Sequence, residues 1–127
     1  PHLEVTMALD IHRGGDTSAD AVLVHRFVEQ FRSRHWPGRR MPELYYFPAS
    51  LGLDPSRRAS LHAKCVVVDR SRALVTSANF TEAAQERNIE LGVLVRHQPC
   101  VERVVSYFDG LRSRGLLRCC AGSGNRA

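Results

Sequence analysis

Apolar and polar residues alternate in several short stretches of the chain, and the stretches between them repeat apolar residues at helical spacing. Residues 3–11 alternate in this way and predict a β-strand, which the polar and glycine-rich residues 12–16 bring to an end. A helix should follow, capped by Thr17, Ser18 or Asp20, because apolar side chains then recur at positions i, i+3, i+4 and i+7. These side chains are Val24, Phe27, Val28 and Phe31.

The rest of the chain continues to alternate strands and helices. Residues 44–47 predict a second strand that a proline stops, and residues 59–68 and 73–77 predict a hairpin closed by the polar residues between them. A short helix over 80–86, a strand over 88–95 and an amphipathic helix complete the pattern. The apolar face of that last helix contains Val101, Val104, Val105, Phe108 and Leu111. This order predicts an α/β fold, with a mixed β-sheet flanked by helices.

The length of 127 residues suits one domain that buries about two-thirds of its unfolded surface. We expect that domain to occupy residues 1–118, with a flexible tail over 119–127 where apolar periodicity is lost. The chain starts at Pro1 and has neither a signal-like start nor an apolar run of membrane-spanning length. We therefore expect a cytoplasmic fragment of a longer protein, without a transmembrane segment.

The charge of the chain favours polyanionic partners. Lysine and arginine total 18 against 13 acidic residues, so the formal net charge is +5. Nucleic acid and anionic lipid headgroups both fit this balance, although an arginine-rich coding habit would also produce it. Four cysteines are too few and too irregularly spaced for a secreted disulfide framework, which favours a reducing compartment. Their spacing with histidine does not match a structural zinc site, and we expect neither metal nor cofactor.

An ordered set of polar residues carries the chemistry. Lys64 is the only lysine of the chain and follows His62 by two positions, so both side chains lie on one face if the segment is extended. Asp69 comes next, on the opposite parity and at the expected turn, which favours a structural role. Ser77 and Asn79 follow at the end of the hairpin.

The set His62, Lys64 and Asp69, followed by Ser77 and Asn79, resembles the HxKxxxxD motif of the phospholipase D superfamily. The resemblance implies a phospholipase D-like half-domain, the C-terminal half of a longer protein. More narrowly, residues 59–95 are similar to the phospholipase D-like component of DISARM antiphage defence systems. One position departs from the family pattern, because Thr76 stands where the family usually has glycine and adds bulk beside the expected phosphate pocket.

The resemblance also implies roles for the site residues. His62 would attack phosphorus and form a phosphohistidine, while Lys64, Asn79 and Ser77 would contact the phosphate oxygens. Glu90 would hold the second nitrogen of the His62 ring and fix its tautomer. Asp69 completes the set of catalytic candidates that the motif supplies. This chemistry requires no metal.

Two arginine pairs outside the motif are further candidates. Arg57 and Arg58 precede His62 and would flank the phosphate, although a solvated loop pair explains them equally well. Arg39 and Arg40 lie beside Trp36, whose ring would stack a base in a second strand-binding patch.

The resemblance implies that a working site contains two such motifs, and this chain has one. The second would come from an upstream domain of the same protein or from a homodimer partner. The leading hypothesis is a metal-independent nuclease that acts on DNA, with a role in antiphage defence. The alternatives are a phospholipid hydrolase or transferase, and a catalytically degenerate domain that binds nucleic acid without cutting it.

Overall fold

The computed structural model describes residues 3–120, except for the side chain of Ala83. Within this range the chain forms two compact units, one comprising residues 3–61 and 112–120 and the other residues 62–111. The expected tail beyond residue 120 lies outside the described residues. Strands and helices alternate along both units, so the α/β fold class is confirmed.

The strands are β1 Thr6–Leu9, β2 Glu43–Tyr46, β3 Cys65–Val68, β4 Arg72–Thr76, β5 Gly92–Val95 and β6 Arg118–Cys119. The helices are α1 Asp20–Gln30, α2 Glu82–Glu86 and α3 Gln98–Ser113. A π-helical turn, Phe31–His35, continues α1, and two short 3-10 turns, Pro48–Leu51 and Pro55–Arg57, occupy the expected loop after β2.

The first unit contains a mixed sheet with strand order β1-β2-β6. β1 pairs with β2 in parallel, and β2 pairs with β6 in antiparallel orientation. The pattern of residues 3–11 predicted a longer first strand, but β1 is only as long as the four-residue β2 beside it. β6 was not predicted. Its neighbours Leu117 and Cys120 are buried, so the chain remains part of the core past residue 118.

The core of the first unit forms where α1 packs on this sheet. The apolar face predicted for α1 is buried at Val24, Val28 and Phe31, together with Leu44 of β2. The predicted cap is wrong, because Ala19 occupies the N-cap position and supplies no side-chain hydrogen bond. Helix α1 therefore begins without the side-chain cap that the sequence offered.

The second unit contains an antiparallel sheet with strand order β3-β4-β5. Asp69 and Arg70 both have a φ of 50° in the turn between β3 and β4, and the Ser71 amide donates to the Val68 carbonyl at 3.0 Å. This is a mirror-image hairpin turn, whose left-handed first position favours aspartate. The Arg70 guanidinium donates two hydrogen bonds to Glu102 of α3, at 2.7 and 3.2 Å. The turn is thereby fixed to the helix.

Two predicted strands of the second unit are longer than the observed ones. β3 begins at Cys65 rather than at residue 59, and β5 begins at Gly92 rather than at residue 88. The reason is the length of the central strand, because β4 ends at Thr76 and its partners can extend only as far as it does. The residues that precede β3 and β5 are irregular backbone at one end of the sheet.

Candidate active site at one end of the second sheet

The end of the sheet at which β3 begins, β4 ends and β5 begins carries most of the motif. The Thr76 amide donates to the Lys64 carbonyl at 3.0 Å, which extends the β3–β4 pairing by one residue. The Ser77 amide donates to the Leu91 carbonyl at 3.0 Å and extends the β4–β5 pairing in the same way. Lys64, Ser77 and Leu91 therefore lie in neighbouring positions across three adjacent chain segments.

The Glu90 carboxylate is held from both sides at this end of the sheet. The Ser77 hydroxyl donates to its Oε2 at 2.5 Å, and the Asn88 side-chain amide donates to its Oε1 at 3.3 Å. The Leu91 amide in turn donates to Ser77 Oγ at 3.1 Å, so the orientation of the hydroxyl is fixed. The bond from Ser77 has the short length of a strong charge-assisted hydrogen bond, whereas the bond from Asn88 is longer and weaker. The structure thus joins Ser77, Asn88 and Glu90 in one hydrogen-bonded group.

These contacts change the prediction for Ser77 and add Asn88 to the site. A serine hydroxyl has one proton to donate, and here that proton is directed at Glu90 rather than outward to a phosphate. Asn88 was not among the predicted site residues. Its place in the strand predicted over residues 88–95 was the signal that could have identified it, because residues two apart in a strand share a face.

His62 and Asn79 lie three residues before β3 and three residues after β4, and both are exposed. In the described part of the chain, neither side chain has a hydrogen-bond partner, so both are available to a ligand. The bond from Glu90 to the His62 ring is not among the observed contacts of Glu90, and it stays a prediction. The alternation of side chains along a strand does not apply to His62, because β3 begins only at Cys65.

Asp69 lies at the opposite end of the sheet from the other motif residues. Five residues of extended chain at about 3.3 Å each separate it from Lys64 by roughly 16 Å. Its left-handed backbone conformation supports the structural role that its turn position predicted. We therefore leave Asp69 out of the catalytic set.

The departure at Thr76 is accommodated by the residue opposite it. Thr76 pairs with Gly92 across β4 and β5, and a Cβ atom at position 92 would lie 3.2 Å from both Cβ and Oγ1 of Thr76. The Ala78 amide donates to Thr76 Oγ1 at 3.1 Å, which shapes the segment that leads to Asn79. The bulk added at position 76 is thus matched by a missing side chain at position 92.

The arginine pair before the motif belongs to the first unit. Arg58 donates to three backbone carbonyls, those of Gly52, Gly14 and Leu53, at 2.6, 2.9 and 3.4 Å. These bonds give Arg58 a structural role in its loop. Arg57 is exposed in the 3-10 turn, and a contact with substrate stays a prediction for both residues.

The described residues contain no group of three or more His, Cys, Asp or Glu side chains that could hold a metal ion. Cys65 follows Lys64 directly in the sequence, and burial raises the pKa of its thiol. Within the same range, no helix is long and apolar enough to cross a membrane.

Comparison of the sequence with known proteins identifies the family to which the chain belongs. The family model described as "Cardiolipin synthase, PLD-like domain" matches residues 27–112, which is more than half of the chain. The chain therefore belongs to this family of phospholipase D-like domains.

One curated protein shows a similarity that is more specific than membership of the family. The chain is 37% identical over 70 residues to the DISARM protein DrmC of Bacillus paralicheniformis, a stretch that covers 55% of this chain and 26% of that protein. The chain thus spans about a quarter of the length of the relative it matches. No solved structure matches the chain.

Proposed function

We propose that the chain supplies one half of the active site of a metal-independent phosphodiesterase that cleaves DNA in a DISARM defence system. Membership of the phospholipase D-like family supports phosphodiester chemistry, and the similarity to a DISARM protein supports the defence role. The net charge of +5 favours nucleic acid as the substrate.

His62 is the proposed nucleophile. A bond forms between an imidazole nitrogen of His62 and phosphorus, while the bond from phosphorus to the leaving nucleotide oxygen breaks. The leaving oxygen takes a proton from the histidine of the second half-site, and water then hydrolyses the phosphohistidine. Lys64 and Asn79 stabilise the charge that develops on the remaining phosphate oxygens.

Glu90 is the proposed orienting group for the imidazole. A carboxylate that accepts from one ring nitrogen keeps the lone pair on the other, which is the nitrogen that attacks. The observation that carries this proposal is the fixed carboxylate, since Ser77 and Asn88 hold both oxygens of Glu90 at the end of the sheet where Lys64 lies. A merely solvated surface glutamate would not need two side-chain donors.

The test uses the complete protein with labelled single-stranded and duplex DNA, RNA, and a generic phosphodiester, each in excess chelator. We expect cleavage to persist in chelator and to vanish in His62→Asn. Glu90→Gln should lower kcat by roughly a hundredfold with little change in KM, because it alters the transition state rather than ground-state binding. Glu86→Gln, an exposed carboxylate on α2, is the matched control and should retain full activity. Cleavage by His62→Asn when metal is added would contradict the mechanism.

A phospholipid is the second candidate substrate, because apolar side chains surround the polar site. Phe80, Ile89 and Leu91 are all exposed, and Ile89 is fully so. An acyl chain would cover such a surface. Vesicles of phosphatidylglycerol and cardiolipin should therefore be included in the assay, and cleavage of vesicle lipid without cleavage of nucleic acid would move the assignment to this candidate. DNA binding without any cleavage would indicate a degenerate domain.

We further propose that the second half-site lies in the same polypeptide as this chain. The DISARM relative is about four times as long as the stretch it shares with this chain, which leaves room for another motif. Mixing wild-type and His62→Asn proteins under subunit exchange distinguishes the two arrangements. A site within one polypeptide loses activity in proportion to the variant, so an equal mixture retains about half. A site shared by two copies needs both histidines intact, and about a quarter would remain.

A further inference from the structure

A basic loop lies at the end of α1, outside the candidate active site. We define it as residues 32–40. Four of its nine residues are arginines and none is acidic, so it carries +4 of the chain's formal net charge of +5. No other stretch of nine residues in the chain carries four positive charges without an acidic residue.

The loop is held in one conformation by its tryptophan. The π-helical turn brings the Trp36 amide to the Phe31 carbonyl at 3.0 Å, and it stacks the two rings with their centroids 6.0 Å apart. The indole N–H donates to the Arg40 carbonyl at 2.8 Å. Gly38 lies so close to the indole that a Cβ atom there would be 2.8 Å from Nε1. The chain thus folds around the ring, and the indole is used for structure rather than left free to stack a base.

The four arginines of the loop are all exposed, but they differ in their partners. Arg34, Arg39 and Arg40 have no carboxylate within salt-bridge distance among residues 3–120, whereas Arg32 pairs with Glu29 at 3.5 Å. An ordered backbone that presents unpaired guanidinium groups loses little conformational entropy when it binds phosphates. Guanidinium groups also match the geometry of phosphate oxygens.

We propose that the basic loop binds the sugar–phosphate backbone of nucleic acid, without sequence preference, as a contact surface separate from the catalytic residues. The proposal depends on the proposed function only for the choice of nucleic acid as the polyanion. Backbone contacts of this kind supply affinity and position the strand but do not identify bases.

The experiment measures binding of the complete protein to fluorescent duplex and single-stranded DNA by anisotropy, over a range of salt concentrations. Arg39→Ala/Arg40→Ala should weaken binding at least tenfold, because charge-assisted contacts are lost. The slope of log K against log salt for duplex DNA should fall by about 2, one phosphate contact for each arginine. Arg103→Ala/Arg118→Ala removes the same charge from exposed positions outside the loop and is the control. Equal effects of the two double variants would overturn the proposal.

Gly38→Ala separates loop geometry from charge. It keeps every arginine, but its Cβ would displace the indole or the loop, so affinity should fall severalfold with wild-type net charge. Unchanged binding in Gly38→Ala would contradict a preordered loop. Binding of anionic vesicles that depends on Arg39 and Arg40, with DNA binding unaffected, would also overturn the proposal. His62→Asn should abolish cleavage yet leave DNA affinity intact, so the failure of one proposal is distinguishable from the failure of the other.

Discussion

Replacement of Arg13 should lower the free energy of unfolding more than replacement of any other residue of the first unit. Its side chain is 2% exposed, and its guanidinium donates to the carbonyls of Leu51, Asp16 and Ser18 at 2.6, 2.8 and 2.6 Å. It also pairs with Asp20 in the first turn of α1. One buried cation therefore joins the end of the β1 segment, the loop before α1 and the 3-10 turn after β2.

The cost of Arg13→Ala follows from these contacts. A hydrogen bond to a charged group contributes about 1.5–3 kcal/mol, and the bond to Leu51 is buried, so its full value is lost. The other two carbonyls are partly buried and can recover water. The Asp20 side chain is 57% exposed, so that pair adds less than about 1 kcal/mol. We expect a total loss of about 2–4 kcal/mol, and a smaller one in Arg13→Lys, which keeps the charge.

The assay is urea unfolding followed by the fluorescence of Trp36, the single tryptophan, which lies in the same unit. Arg26→Ala is the matched control, since Arg26 is half exposed and, among residues 3–120, bonds only to the Asp16 side chain, at 2.8 Å. Its loss should cost less than about 1 kcal/mol. If Arg13→Ala and Arg26→Ala shift the free energy of unfolding equally, burial does not determine the contribution of Arg13.

Other consequences of the structure can be measured in the same way. Gly92→Val should lower the free energy of unfolding by about 1–3 kcal/mol, yet be nearly neutral in a Thr76→Gly background, because the clash is with Thr76. Hydrogen bonds from Ser18 and the nearby Arg26 lower the pKa of Asp16 from 3.8 to about 2. The stability that Asp16 provides is thus complete above about pH 4 and lost as the pH falls toward 2, so Asp16→Asn should approach wild type in acid unfolding titrations. Burial raises the pKa of Cys120 to about 11, and its alkylation should be the slowest of the four cysteines.

The sequence predicted the elements of the fold better than their ends. Alternation and helical spacing depend on which face is buried, and the core of α1 and β2 confirms them. Strand ends depend on the partner strand, which a single sequence does not show, so β3 and β5 were predicted too long. β6 has two residues and no periodicity, and the π turn after α1 depends on the stacking of Trp36 on Phe31. Neither feature has a local pattern from which it could be predicted.

The sequence predicted those features of the candidate site that depend on the spacing of the motif residues along the chain. The motif located the segments that meet at one end of the second sheet, and the turn preference of aspartate identified the structural position of Asp69. The partners of Glu90 were not predictable, because the donors at Ser77 and Asn88 meet it only through the β4–β5 register. The same register explains why a threonine at position 76 is tolerated opposite a glycine.

The division of roles at the site has a consequence for its assembly. Ser77 and Asn88 already satisfy Glu90 within this half, so its carboxylate does not need the second half-site to be held in place. The His62 and Asn79 side chains have no such partners in the described range, and both are exposed at the same end of the sheet. Groups that will contact substrate and a second motif are expected to remain unpaired until those partners arrive, whereas the groups that orient them are fixed in advance. The fixed carboxylate of Glu90 and the exposed side chains of His62 and Asn79 agree with that expectation, on which the proposed division between orienting and reacting groups rests.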